Sequence, residues 1–258
     1  MISYMGYEEI YRNEVSVASG REVVLNIEMK ESIVSMDEVK VVAHRKKGES
    51  MNPLANISSH QISVESTSRV AAGISDPART AQSYAGVAAA DDEGNELVIR
   101  GNSPRGMLWR MEGVEIPNPN HFPNGEGGTG GGVSALSSQV LSNSDFFTSA
   151  FPAEYGNALS GVFDLRLRKG NSEKREYALQ LGVLGAQVAA EGPFIQGKQA
   201  SYLINYRHST LKVLSKMGID ISGGDVVPEF QDLSYKLYFP TRRAGYFSFW
   251  GLGGVSSA

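Results

Sequence analysis

Strict alternation of apolar and polar residues marks the C-terminal third of the chain. It runs through EYALQLGV (176–183), SYLINYR (201–207), DLSYKLYF (232–239) and YFSFWGLGG (246–254). A period of two predicts β-strands with one apolar and one polar face. Strands of this length, with aromatic residues on one face, are typical of transmembrane β-barrels, and a soluble β-sandwich can show the same pattern. The pattern alone leaves both interpretations open.

Residues 60–170 combine short strands with helical signals. In ISDPARTAQSYAGV, Asp76 suits the N-cap, Pro77 the first turn and Gly86 the position after the last turn, which predicts a helix. A second helical segment is predicted in VSALSSQVL (133–141) from the spacing of its apolar residues. Apolar runs predict short strands at 98–100, 107–111, 144–151 and 161–170. This mixture predicts a small α+β domain.

The first 59 residues show two patterns. The segment REVVLNIEMK (21–30) alternates and follows a turn-forming VASG, so residues 1–35 are predicted to be the last strands of a small β-sandwich. Residues 36–59 are charged and rich in turn formers after one short valine run. We interpret them as a linker that carries an extended segment at 36–42.

The composition offers little chemistry for an enzyme. The chain of 258 residues has a net charge of −4 and no cysteine, which argues against a nucleic-acid binder and excludes thiolate metal sites and cysteine nucleophiles. The loop GEGGTGGG (125–132) lacks the Gly-Lys-Ser/Thr end of a phosphate-binding loop. No histidine has the spacing of a metal ligand. We therefore predict that the protein is not an enzyme and has no catalytic residues, metal site or cofactor.

Several ordered motifs resemble one known family. They are Ile99-Arg100-Gly101, Glu112-Gly113-Val114, Tyr155-Gly156, Gly161-Val162-Phe163 and Arg168-Lys169-Gly170, followed by EGPF at 191–194. Together they resemble the plug domain and first barrel strands of TonB-dependent outer-membrane receptors, although Glu112 stands where Asp is more usual. Residues 1–35 resemble the end of the carboxypeptidase-regulatory-like domain that precedes the plug in receptors of the Bacteroidota type.

The resemblance implies a fold and a domain order. It implies an α+β plug domain at 60–170, followed by antiparallel transmembrane β-barrel strands at 171–258, with the β-sandwich end at 1–35 and the linker at 36–59 before them. On this interpretation the chain is a fragment of a longer receptor. A plugged barrel of 22 strands is a known architecture for such transporters.

The resemblance also implies a function. The expected function is uptake of a scarce nutrient across the cell outer membrane, with energy coupled through TonB and its inner-membrane complex. The expected partners are TonB, outer-membrane lipid and a small nutrient ligand delivered directly or through a surface lipoprotein, with no nucleic acid. The plug and N-terminal domain would face the periplasm. The alternative is a soluble β-rich adhesion or ligand-binding module without transport.

Three groups of residues carry the site predictions. The segment Met36, Asp37, Glu38, Val39, Lys40, Val41 and Val42 lies where such receptors have the TonB box. Arg100, Arg166 and Arg168 are candidates for ion pairs that hold the plug in the barrel. Asn118, Asn120, His121 and Phe122 are candidates for a ligand-facing plug loop. In the barrel strands, the residues predicted to face lipid are Tyr202, Ile204, Tyr206, Leu233, Tyr235 and Leu237. Those predicted to face the lumen are Ser201, Asn205, Arg207, Ser234 and Lys236.

Overall fold

The protein is described by a computed structural model. It describes residues 1–11, 22–31, 50–55, 58–63, 67, 76–90, 94–123, 129–182, 185–218, 228–241 and 243–257. Within these ranges the structure is mostly β, with two short α-helices and two five-stranded sheets. No helix in the described ranges is long and apolar enough to span a membrane.

The first sheet is mixed and forms the centre of a small domain. Its strands are β1 (Ser59–Ile62), β4 (Met107–Met111), β5 (Val114–Ile116), β8 (Ser144–Phe147) and β9 (Gly161–Leu165). Their order across the sheet is β1-β8-β9-β4-β5, and only the β4–β9 pair is parallel. Smaller elements surround it: α1 (Pro77–Ala81), β2 (Val87–Ala89), β3 (Leu97–Ile99), a 3-10 turn (Pro104–Gly106), β6 (Asn120–His121) and β7 (Val133–Ser134). The pairs β2–β3 and β6–β7 each form a two-stranded ribbon.

The two faces of this sheet are occupied differently. On one face a cross-strand row of aromatic residues joins Phe146, Phe163 and Trp109, and the Trp109 and Phe163 rings stack with centroids 4.7 Å apart. This row belongs to the main core, which also contains Leu203 of the second sheet. On the other face Asp145 and Asp164 lie directly opposite each other. Alternation along β8 and β9 therefore gives the sheet an apolar side toward the second sheet and a partly charged side away from it.

The second sheet is an antiparallel meander of five strands in sequence order. Its strands are β10 (Glu176–Leu181), β11 (Gly185–Pro193), β12 (Ser201–Ser209), β13 (Glu229–Pro240) and β14 (Tyr246–Ser257). A short helix, α2 (Leu211–Lys216), follows β12. We call β10–β14 the wall sheet. All four predicted strands are present as β10, β12, β13 and β14, and burial alternates with the predicted period of two along β12 and β13.

Two helix predictions differ from the structure. The first helix begins at Asp76 and Pro77 as predicted, since the Asp76 carboxylate accepts from the Ala78 N–H, but it ends at Ala81 rather than near Gly86. The N–H groups of Ser83 and Tyr84 instead close tighter bonds, to the carbonyls of Thr80 and Ala81. The predicted helix at 133–141 is wrong. Its start is the strand β7, and a single turn follows later, in which the N–H groups of the buried Val140 and Leu141 both donate to the Ser137 carbonyl.

The N-terminal segment also differs from the prediction. Residues 22–30 belong to no strand, and Val23 and Leu25 are exposed, so the predicted strand with a buried face is wrong for the described residues. The bridges Ile2–Ile10 and Tyr7–Glu31 are the only pairings within the described part of 1–31. An alternating sequence forms a buried face only where partner strands cover it. At the boundary between the linker and the small domain, residues 50–55 already bind the small domain, although the domain was predicted to begin at residue 60.

Candidate functional site: the contact between the small domain and the wall sheet, and the adjoining cavity

The small domain touches the wall sheet through charged groups as well as through the apolar core around Leu203. Lys236 of β13 is buried, and its Nζ lies 2.7 Å from Glu112 Oε2 and 3.0 Å from the Leu167 carbonyl oxygen. The other Glu112 oxygen accepts from the Leu167 N–H at 2.6 Å. Glu112 therefore connects the β4–β5 turn, the chain after β9 and the wall sheet in one closed network. Its position in the Glu-Gly-Val motif gave no sign of this role.

A second ion pair joins the end of the small domain to β11. The Arg168 guanidinium forms two hydrogen bonds with the Glu191 carboxylate, at 3.0 and 3.2 Å. Arg168 also donates to the Gln139 carbonyl, and the Asn171 N–H donates to Glu191. Bidentate arginine–carboxylate pairs are geometrically specific. The Glu191 carboxylate is buried with all these donors around it, which compensates for its desolvation.

The third contact clamps the β6–β7 ribbon. Asp232 of β13 lies between the His121 ring and the Arg207 guanidinium, and its Oδ2 accepts from Arg207 Nε at 2.7 Å. Arg207 also donates to the Ser134 carbonyl of β7 and lies 5.0 Å from the centroid of the Phe230 ring. A Cβ added to Gly254 of β14 would stand 2.6 Å from His121 Cε1, so this glycine leaves the room that the His121 ring occupies.

The predicted arginines take different places. Arg168 makes the wall contact just described. Arg166 pairs within the small domain, with its Nη2 3.3 Å from Asp164 Oδ2, and Arg100 is exposed with its Nη2 3.3 Å from Ser58 Oγ. The contact residues that the sequence analysis did not single out as locks are Glu112, His121, Glu191, Arg207, Asp232 and Lys236. For Arg207 and Lys236 the sequence did contain a sign of this role, because both are charged residues at predicted lumen-facing positions.

The far face of the small domain binds residues 50–55. The Asp145 carboxylate accepts from the backbone N–H groups of Met51 and Asn52 at 2.7 and 2.8 Å. The Asn52 amide donates to Glu154 at 2.6 Å and to the Tyr155 hydroxyl at 3.2 Å. This polar clasp holds the chain that follows the predicted TonB box. The box itself, residues 36–42, lies outside the described residues.

Ionisable groups behind the clasp are perturbed by their surroundings. Burial raises the pKa of Asp164, which accepts from the Tyr155 hydroxyl at 3.0 Å, and burial also raises the pKa of Tyr155. In contrast, the hydrogen bond from Arg110, 2.7 Å long, lowers the pKa of Glu154. Asp145 lies opposite Asp164, so two carboxylates share this buried face of the sheet.

A cavity of about 200 Å³ adjoins the β6–β7 ribbon. Its lining includes Asn95, Glu96, Arg105, Trp109, Asn118 and Asn120. The predicted loop residues Asn118 and Asn120 therefore line a cavity. His121 points the other way, buried against Asp232, and Phe122 is half-buried with its ring centroid 6.1 Å from that of His121. The role of these residues toward a ligand stays a prediction.

The asparagines along this cavity form a directed chain of hydrogen bonds. The Asn118 amide donates to the Gly130 carbonyl at 2.7 Å, Asn120 donates to Asn118 at 2.5 Å, and Asn95 donates to Asn120 at 2.7 Å. Because the Gly130 carbonyl can only accept, this direction is fixed. Asn95 Oδ1 is buried, and within the described residues no donor reaches it. A buried acceptor without a partner costs about 1–3 kcal/mol.

The two faces of the wall sheet have opposite character. Toward the small domain lie buried polar residues, among them Ser201, Asn205, Asp232, Ser234 and Lys236. The opposite face is apolar and exposed, and its residues include Tyr177, Leu179, Leu181, Val188, Ile204, Tyr206, Leu233, Phe247, Phe249 and Val255. The pairing register places Leu179, Val188, Tyr206 and Leu233 in one row across four strands. In β12 and β13 the two predicted groups therefore lie on opposite faces, with the polar group toward the small domain, and the contact of the apolar face with lipid stays a prediction.

Comparisons place this architecture among known folds. No protein-family profile matches the chain, and no curated protein matches its sequence. The siderophore receptor PirA from Pseudomonas aeruginosa matches with a TM-score of 0.50 and 14% identity, over 78% of this chain and 36% of PirA. Two mutant structures of the ferric enterobactin receptor PfeA from the same organism have TM-scores of 0.47 and 0.49 at 14% identity. These two matches cover 77% and 78% of this chain, and each covers 33% of the PfeA chain.

The likeness to PirA concerns the fold alone at this identity. The mostly β chain has in part the fold of that siderophore receptor, and it spans about a third of the length of the receptors it matches. This agrees with the coarse fold class expected from the sequence motifs.

Proposed function

We propose that this chain forms the plug domain and first barrel strands of an outer-membrane receptor that takes up a scarce nutrient with energy from TonB. The observation that carries the proposal is the contrast between the two faces of the wall sheet. An exposed face with this many large apolar side chains is unfavourable in water and suits lipid. The opposite, polar face is closed by a folded domain, as in a plugged barrel.

Charged contacts suit a plug that must move. Beside the apolar packing around Leu203, the contact contains ion pairs such as Lys236–Glu112 and Arg168–Glu191, whose charged groups regain hydration when the two surfaces separate. In the soluble alternative, an adhesion or binding module, the apolar face of the wall sheet would need a protein partner. We therefore favour the receptor over that alternative.

The domains take the roles expected from the sequence motifs. Residues 60–170, together with the bound segment 50–55 and Ser59 of β1, form the plug, and residues 171–258 form the first barrel strands. Bacterial barrels have short periplasmic turns and longer external loops. The short turns at 194–200 and 241–245 would then face the periplasm, and the longer connection at 210–228 would face outward. Arg168 and Glu191 lie toward the short-turn end, and His121 and Asp232 toward the other.

This arrangement suggests a route from ligand to plug. Asn120 of β6 lines the cavity, and its neighbour His121 contacts Asp232 of the wall sheet. A ligand that moves the ribbon at Asn120 would therefore disturb the His121–Asp232–Arg207 contact. The polar clasp at Asp145 holds the far face of the plug and binds the chain that follows the segment TonB would grip by pairing with an extended strand.

Conductance in planar lipid bilayers tests the proposal without knowledge of the nutrient. The complete protein should form a closed pore, and a variant that lacks residues 50–170 should conduct ions through a large, stable channel. Equal conductance of the two proteins, or a protein that stays in solution without detergent, would contradict the proposal.

A second experiment tests the energy coupling. Val41→Pro removes a backbone donor and blocks strand pairing in the predicted TonB box. In the complete receptor it should abolish uptake and leave ligand binding at the cell surface intact, whereas proline in place of Val23, outside the segment, should leave uptake unchanged. Normal uptake by the Val41→Pro variant would remove this segment from the mechanism.

A further inference from the structure

Phe122, the residue that follows His121, has a strained backbone. Its φ is +53°, in the left-handed region where the Cβ of an L-residue crowds the following carbonyl oxygen and where glycine or asparagine is usual. Pro123 adds a second constraint, because a proline ring pushes the preceding residue to an extended conformation with negative φ. The conformation of Phe122 is therefore opposed by its own side chain and by its neighbour.

The strain at Phe122 differs from that at two other residues with positive φ. Arg100 and Glu112 each begin a tight turn and are followed by glycine, which accepts the left-handed region without cost. Phe122 is followed by proline, which does not. Such strain persists only where the surrounding structure over-determines it, and it gathers at switch regions. The contacts around Phe122 therefore indicate what the strain serves.

The contacts that hold Phe122 in place come from the wall sheet. In the described structure the β6–β7 ribbon consists of two residue pairs, and so short a pair of strands is marginal on its own. The buried His121 ring of β6 lies against Asp232 of β13. On the second strand of the ribbon, the Ser134 carbonyl accepts from Arg207 of β12. The wall sheet thus fixes both strands of the ribbon, and with them the backbone from which Phe122 extends.

We propose that Phe122 is a strained hinge of the β6–β7 ribbon: the contact of His121 with Asp232 holds the ribbon docked, and relaxation of Phe122 to a negative φ favours its release once that contact breaks. This inference rests on the proposed function, because it describes how the contact between plug and wall is regulated. Strain in the docked form brings the docked and released forms closer in free energy. A ligand then needs only a modest difference in affinity between the two forms to change which one dominates.

Two substitutions of Phe122 separate backbone strain from side-chain packing. Asparagine adopts a positive φ readily, whereas leucine keeps both an apolar side chain and the strain. Amide hydrogen exchange at residues 120–121 and 133–134 of the complete protein in detergent measures opening of the ribbon. We expect exchange to be about 5- to 30-fold slower in Phe122→Asn than in Phe122→Leu, from the usual cost of the left-handed region. At this half-buried position packing alone favours leucine, so equal exchange, or slower exchange in Phe122→Leu, overturns the proposal.

A second pair of variants leaves the Phe122 side chain in place. Pro123→Ala removes the constraint that proline imposes on Phe122. The matched control is Pro117→Ala, because Pro117 is also exposed and the residue before it, Ile116, lies in the strand β5. Both substitutions give the unfolded chain the same added freedom. Exchange of the ribbon should be slower in Pro123→Ala than in Pro117→Ala, and equal rates or the opposite order overturn the proposal.

The part played by the wall contact is tested in a Gly254→Ala background. The added Cβ would stand 2.6 Å from His121 Cε1 and therefore displaces the His121 ring. The ribbon is then already released and residue 122 already relaxed, so Phe122→Asn and Phe122→Leu should exchange alike in this background. A difference between them as large as in the parent would show that the wall contact does not hold the strain, and it would overturn the hinge.

These exchange experiments do not depend on transport. The expected order of exchange, in a protein that conducts equally with and without its plug, would support the hinge and contradict the receptor function. A closed pore, with equal exchange in Phe122→Asn and Phe122→Leu, would support the receptor and overturn the hinge.

Discussion

Lys236 Nζ lies 2.7 Å from Glu112 Oε2, although the two residues are 124 positions apart in the chain. Lys236 belongs to β13 of the wall sheet, and Glu112 belongs to the β4–β5 turn of the small domain. Both side chains are largely buried, with exposed fractions of 6% and 14%. A buried charge without its counterion is costly, so this pair fixes the register between the two bodies as well as their contact.

Removal of one member of this pair should destabilise the protein more than removal of both. Lys236→Met leaves the Glu112 carboxylate buried without its cation and should cost about 3–5 kcal/mol, whereas the double variant Lys236→Met/Glu112→Gln should recover part of the loss. Thermal unfolding in detergent measures both. Lys212→Met is the control, because the exposed Lys212–Glu229 pair should contribute about 0–1 kcal/mol. Equal losses for Lys236→Met and Lys212→Met would show that the contact does not hold the two bodies together.

Docking of the β6–β7 ribbon should depend on Gly254. A Cβ at this position would stand 2.6 Å from His121 Cε1 and 3.0 Å from Asp232 Oδ1, so Gly254→Ala should displace His121 and expose the ribbon to hydrogen exchange. Gly253→Ala is a close control, since its Cβ would meet nothing within 4 Å and the change in strand propensity is the same. If amide exchange at residues 120 and 134 were alike in the two variants, the His121 contact would not be what holds the ribbon.

Stability should depend on pH through the carboxylates behind the clasp. Burial raises the pKa of Asp164 in the folded protein, so its favourable contribution is present below the ordinary pKa and is lost as the pH rises through the raised value. Asp164→Asn should therefore gain stability relative to the parent as the pH rises above the ordinary carboxyl pKa of about 4. Melting temperatures on both sides of this pH measure the difference.

Glu154→Gln should show the opposite dependence. The Arg110 hydrogen bond lowers the pKa of Glu154, so the parent's advantage over this variant is present at neutral pH and is lost as the pH falls through the lowered pKa. Parallel melting curves for the parent and both variants across the range would contradict the assigned environments.

Neighbouring residues of β10 should differ in their tolerance of charge. Leu179 belongs to the apolar face and is 69% exposed, whereas Gln180 points to the polar side. Leu179→Arg should cost about 2–4 kcal/mol if it lies near the bilayer midplane, and Gln180→Arg should cost far less. The amount of folded, heat-modifiable protein in outer membranes measures assembly. Equal yields would mean that this face does not meet lipid.

Local patterns predicted the elements whose stability is local. The faces of β12 and β13 follow from a period of two, because each strand alternates whatever its partner is. The N-terminus of α1 was predicted because Asp76 caps it with its own side chain. In contrast, β11 was missed because AQVAAEGP consists largely of small residues that show no clear alternation. The helix prediction at 133–141 was wrong because apolar residues three or four positions apart occur in a single turn as well as in a helix.

Contacts between distant parts of the chain gave no such signal. His121 and Asp232 are 111 positions apart, and nothing next to either residue in sequence indicates the other. The sequence did place Arg207 and Lys236 on the lumen-facing side, which identified the right surface without the partners. Only Arg168 of the three predicted lock residues reaches the wall sheet. Its partner Glu191 stands in the EGPF motif, where the motif alone indicated a turn.

The central claim is that the wall sheet has lipid on one face and the plug on the other. The chain has no cysteine, so single cysteines can be introduced at 186–190 of β11 and spin-labelled. Power-saturation EPR in lipid vesicles then measures collisions with oxygen, which concentrates in lipid, and with a water-soluble nickel chelate. We predict high oxygen and low nickel accessibility at Ala186, Val188 and Ala190, and low accessibility to both reagents at Gln187 and Ala189. High nickel accessibility at Ala186, Val188 and Ala190 would contradict the account.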